Sequence, residues 1–177
     1  MNKKKVWISV VVVVLIVFGI AGYKIQDQKK WEPVNECVEK FLDAYNQNNK
    51  EMKNYILDEG DSNLGACMTY SRFLQDQVTY DIKGHYREHE NYIVEADITT
   101  VDMPQVMNGH ESLYQNISTM NYLDNNIKDF RAIKDKPTKT MHAKFHVEKF
   151  EGAYYIVLDT ETLDVLSGGF HTYQPYK

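Results

Sequence analysis

Cysteine is nearly absent from this 177-residue chain, and the two that occur, Cys37 and Cys67, lie far apart. That excludes the paired CxxC spacing that structural zinc and thioredoxin-like redox sites need. Only four prolines and nine glycines are present, so no Pro-rich or Gly-rich linker and no low-complexity tract divides the chain. A glycine-rich phosphate loop, a nucleophile elbow and an HExxH helix are all missing, and no motif implies a cofactor. Clustered positive charge is lacking too. Beyond residue 23 there are 17 Lys and Arg against 25 Asp and Glu, a net −8. Nucleic acid and anionic lipid are therefore poor partners, because both are held by concentrated positive charge.

What the chain does have is one long apolar run. Val6 to Gly22 contains no charge, and Ser9 is its one plainly polar side chain. As a helix these 17 residues would span roughly 26 Å, about the thickness of a bilayer core. Lys3–Lys5 precede the run, Lys24 follows it, and Trp7 and Tyr23 sit near its ends, where headgroup-level aromatics are favoured. Gly19, Ile20 and Ala21 also offer a signal-peptidase spacing, so the anchor is either retained or cleaved; its length favours retention. Tyr23 stands where a lipoprotein would have cysteine. The expected organisation is a cytoplasmic head at 1–5, a transmembrane helix at 6–23, a stalk at 24–31 and one exported domain at 32–177. The location implied is the cell membrane, single-pass, with the C-terminal domain outside the cytoplasm.

Past the anchor the apolar period is helical. Val34, Cys37, Val38, Phe41, Leu42 and Tyr45 recur at three and four residues after Pro33, and the run ends at Asn46–Asn49. Met52, Tyr55 and Ile56 suggest a short amphipathic turn. Asp61 or Ser62 is placed to cap a third helix with Leu64, Cys67, Met68, Phe73 and Leu74. Both cysteines fall on apolar stripes. An exported compartment permits a disulfide between them, and plain core packing of two free thiols is the competing reading.

At Val78 the period becomes two. Val78, Tyr80, Ile82, Gly84 and Tyr86 alternate with Thr79, Asp81, Lys83, His85 and Arg87, and Tyr92, Val94, Ala96 and Ile98 return after a turn near His89–Asn91. With Arg87 facing Ile93, Ile82 meets Ile98 on an apolar face, while His85 meets Glu95 and Lys83 meets Asp97 on a charged one. The segment 105–136 reads as one or two helices broken near Asn108–Gly109. It contains a glycosylation sequon at Asn116–Ser118, which reads as incidental. A second hairpin follows, turning at Glu151–Gly152, with Phe150 facing Ala153, Val147 facing Ile156, Phe145 facing Leu158 and Lys144 facing Asp159. The tail from Leu163, LDVLSGGFHTYQPYK, is expected to extend the strand beyond a bend at Gly168–Gly169. The fold class is α+β: an N-terminal transmembrane helix, then a curved antiparallel sheet of two hairpins packed against helices.

ECVEKFLDAYNQNNKEMKNYI, YIVEADITTVDMPQVM and VEKFEGAYYIVLDTETLDVLSGGF together resemble the nuclear-transport-factor-2-like, or cystatin-like cone, superfamily over about Trp31 to Phe170. The nearest variety is the membrane-anchored Gram-positive domains of unknown function, although Tyr155 stands where these often carry tryptophan. The resemblance implies either an enzyme or small-molecule binder using the cone interior, or a non-catalytic subunit such as those that scaffold secretion and conjugation machines or serve as envelope immunity and accessory proteins.

The residues discriminate between these. Tyr45, Tyr80, Tyr86, Tyr92, Phe145 and Tyr154 are the candidate cavity lining, yet no carboxylate alternates inward to serve as general base, so no catalytic residue is assigned. His142 and His146 lie about 13 Å apart on a strand, too far to share an ion, so no metal site is assigned. Lys83, His85, Glu95, His142, Lys144 and His146 make a charged outer face. The reading is a non-catalytic, membrane-tethered domain with a protein partner in the envelope, its ectodomain monomeric because that face is too charged to bury against a copy of itself.

Overall fold

The computed structural model describes residues 29–57, 62–110 and 123–173. A first helix, α1, runs through 29–46, followed by a 3-10 turn at Lys50–Tyr55 and α2 at Ser62–Leu74. Strands β1, Thr79–Glu88, and β2, Asn91–Val101, form the first hairpin. Helices α3, Met103–Asn108, and α4, Leu123–Ala132, precede the second hairpin of β3, Thr138–Phe150, and β4, Ala153–Val157. Helix α5, Thr160–Leu166, follows. The four strands make one antiparallel sheet in the order β1-β2-β3-β4.

The expected fold is corrected at its start. No helix among the described residues is long and apolar enough to cross a membrane, so the fold is an α+β domain without a demonstrated transmembrane helix. The run 6–23, the head, the first residues of the stalk and the sequon at Asn116 lie outside the described residues. The end of the expected stalk is already α1, and Trp31 within it is buried.

Local chemistry explains most boundaries. The apolar stripe of α1 is buried from Val34 to Tyr45. The helix stops in a Schellman-type cap: Asn48 takes the left-handed conformation at φ 50°, and the Asn49 amide donates back to the Ala44 carbonyl at 2.8 Å. Asn48 stands where glycine is usual, and asparagine tolerates that backbone better than other residues. The Asn49 side chain then caps the 3-10 turn through the Glu51 amide. Asp102 and Asp159 cap α3 and α5 in the same way.

Two expectations about the sheet fail. β1 contains a bulge between Ile82 and Gly84: Ile82 pairs with Ala96 before it, and His85 with Val94 and Arg87 with Tyr92 after it. One extra residue reverses the facing of everything after it. His85 and Arg87 therefore join Tyr80 and Ile82 on the helix side, and Tyr86 moves to the outer face opposite Ile93. The segment after β4 is not a strand. Asp159, expected beside Lys144, is the N-cap of α5, and β3–β4 pairing ends at His146 with Val157. The rest of the second register agrees: Phe150 pairs with Ala153 and Val147 with Ile156, around a turn in which Glu151 and Gly152 both have positive φ.

The core lies between the sheet and the helices. Phe41 meets Phe145 edge-on at 6.2 Å, Phe73 meets Phe130 at 5.8 Å, and the Tyr45 hydroxyl donates to the Leu166 carbonyl at 2.8 Å. Gly168 allows the final turn: at φ +64° a Cβ would stand 2.1 Å from the Val101 carbonyl oxygen.

Candidate functional site

The interior positions expected to line a cavity are mostly filled or displaced. Tyr45, Phe41, Phe145 and Ile156 are all fully buried. Burial pushes the Tyr45 phenol far above its ordinary range, so the hydroxyl is a fixed donor to Leu166. The Tyr80 hydroxyl donates to the Asp43 carboxylate at 2.9 Å, and burial together with that carboxylate pushes its pKa up to about 12. Tyr86 is not interior at all; it hydrogen-bonds Lys144 on the outer face and holds the ammonium charged. Tyr92 and Tyr154 stand edge to face at 5.4 Å at one end of the sheet, where Arg87 covers the Tyr92 ring and Lys149 the Tyr154 ring.

The outer sheet face carries an alternating ladder of charge. Lys83 bonds Asp81 and approaches Asp97 at 3.4 Å. His142 Nδ1 lies 3.0 Å from Asp97 and its Nε2 3.7 Å from Glu95. His146 Nε2 lies 3.7 Å from Asp159. The hydrogen bond from His142, then that from Lys83, holds the Asp97 carboxyl below its usual range. These groups are about a third exposed or more, Asp81 the most, so each pair is worth little singly. Of the six residues expected here, Lys83, Glu95, His142, Lys144 and His146 share the face, and His85 does not.

His85 instead forms the floor of a groove between α1 and β1. Its ring stacks on Trp31, and its Nδ1 lies 3.3 Å from the Asn35 side-chain amide nitrogen. The other amide atom, Asn35 Oδ1, is buried without a partner among the described residues. Lys29, Glu32, Glu36 and Glu39 complete the lining of an open space of about 660 Å³. Strict alternation on β1 concealed this site. The only sequence signal for it was Gly84, because glycine inside a strand often accompanies a bulge.

Cys37 and Cys67 are free and buried, so the bridged reading is set aside. The Cys37 thiol donates to the Tyr154 carbonyl at 3.2 Å, and burial raises both thiols to about 12. No group of three or more His, Cys, Asp or Glu is placed to hold a metal among the described residues. In comparisons with protein-family models, curated proteins and solved structures, nothing matched this chain.

Proposed function

We propose that this chain is a non-catalytic protein-interaction domain, exported from the cytoplasm, that engages a protein partner in the envelope through its outer sheet face. The observation that carries this reading is that face: a solvated ladder of Lys83, Asp97, His142 and Glu95, side chains held in place by one another, with Lys144 held beside them by Tyr86 and no helix laid over them among the described residues. Ordered charges on a rigid sheet give orientation and salt-sensitive association rather than a reaction. The exported location rests on the apolar run behind Lys3–Lys5. The alternative, a small-molecule binder or enzyme using the cone interior, needs space where Phe41, Phe145 and Ile156 are packed.

The test is site-specific photo-crosslinking in the cells that make the protein. A photoreactive residue at position 144 should yield a discrete protein adduct that weakens as salt rises, and one at position 161, on α5, should not. Equal smears from both positions, or no adduct from any outer-face position, would overturn the reading. Sedimentation of the isolated domain should show a monomer.

A further inference from the structure

The sheet is closed along one border and open along the other. At the β4 border Ile56 bridges Ile156, and the Leu57 amide donates to the Ile156 carbonyl at 2.9 Å. At the β1 border no strand lies beside Thr79–Glu88 among the described residues. Unused N–H and C=O groups on such an edge are a template for another strand, and proteins usually blunt it with bulges and charge. Here the blunting is local. Asp81, Lys83 and the bulge interrupt the first half of β1, whereas Gly84–Glu88 continues in unbroken register and carries its charges, Arg87 and Glu88, at its far end.

The groove floored by His85 lies beside that second half, and its helical wall is acidic. Glu32, Glu36, Glu39 and Asp43 follow one another at four, three and four residues along α1, which places them on one face. Two contacts hold this face against β1, Asn35 to His85 at one end and Asp43 to Tyr80 at the other. Lys40 neutralises Glu36 at 2.7 Å, Lys29 lines the near end and the Lys30 ammonium lies over the Trp31 ring, so four carboxylates face three ammonium groups. Arg87, the cation of β1 on the helix side, is drawn over the Tyr92 ring.

We propose that this groove takes an extended peptide segment of a protein partner, bearing lysine or arginine at alternate positions, added as a fifth strand along Gly84–Glu88. Main-chain hydrogen bonds to the open edge supply affinity, and alternate side chains reaching toward α1 meet the carboxylates and supply selectivity. Five residues of strand cover about 17 Å, close to the roughly 15 Å of α1 between Lys29 and Glu39 that lines the groove. The surface differs from the outer sheet face, and the inference stands whichever way that face behaves.

The full chain is titrated with three labelled octapeptides: alternating Lys-Thr, alternating Glu-Thr, and Lys-Thr with every second backbone nitrogen methylated. The Lys-Thr peptide should bind at least tenfold tighter than either of the others and should slow amide exchange in Gly84–Glu88. Replacing Glu32, Glu36 and Glu39 by Gln should weaken it tenfold or more with the circular dichroism unchanged. Equal binding of the methylated peptide would reduce the effect to charge attraction and overturn strand addition. Protection falling on β3 rather than β1, or no binding in any arm, would overturn the proposal as well. Should the triple variant lose its fold, the methylated peptide still decides.

Discussion

The His85 ring lies flat on Trp31, centroids 4.5 Å apart and planes 20° from parallel, although strict alternation along β1 would put that histidine on the opposite side of the sheet. The single residue inserted at Lys83 makes the difference. Trp31 is in turn edge-on to Tyr92, so the bulge is what closes the aromatic end of the groove.

Removing the bulge tests that relationship. Deleting Lys83 should leave His85 on Trp31 and the domain folded, at a loss of about 1–2 kcal/mol, because it removes only two exposed ion pairs, to Asp81 and Asp97, and local twist. Tryptophan fluorescence and urea melts measure it. A collapse of several kcal/mol would mean that β1 is regular and that the deletion turned Tyr80 and Ile82 outward.

Neighbours on β3 should differ sharply. Phe145 is fully buried against Phe41, so Phe145→Ala should cost about 3–5 kcal/mol, whereas His146→Ala on the solvated face should cost under about 1. The reverse ranking in denaturant melts would show the faces to be exchanged.

Gly168→Ala should destabilise by at least about 2 kcal/mol, since both its positive φ and the approach of the Val101 carbonyl oppose a side chain. Gly65→Ala, in α2 with open space at its Cβ, should stabilise by up to about 1 kcal/mol. Equal melting temperatures for the two variants would contradict the final turn.

Alkaline pH should weaken the fold. Both thiols have folded pKa values near 12, above the ordinary 9.0, and burial is the main cause. A raised folded value means the contribution is complete below pH 9 and is lost as pH rises from 9 toward 12. Tyr80, raised from 10.0 to about 12, adds to the loss above pH 10. Urea midpoints should hold steady from pH 7 to 9 and fall beyond, with a smaller fall in Cys67→Ala; a flat profile to pH 12 would refute it. At pH 8 a thiol reagent should titrate neither cysteine until the chain is unfolded.

Periodicity made much of this legible. The three-and-four spacing of Val34 to Tyr45 can bury one face only as a helix, and the alternation of Met141 to Val147 can do so only as a strand, so α1, β3 and the turn at Glu151–Gly152 follow from the chain alone. The sequence also determined the charge of the outer face, because Glu95, Asp97, His142 and Lys144 alternate with residues that had to be buried. Tertiary structure decided the rest. A bulge does not change which residues are apolar, only which way they point, so the facing of His85, Arg87 and Tyr86 depended on how β1 docked on β2. Leu163, Val165 and Leu166 suit a strand or a short helix equally, and their burial against the core, with Asp159 free to cap the Thr162 amide, selected the helix. The groove joins residues of α1 to residues of β1 some fifty positions away, and only packing places them side by side.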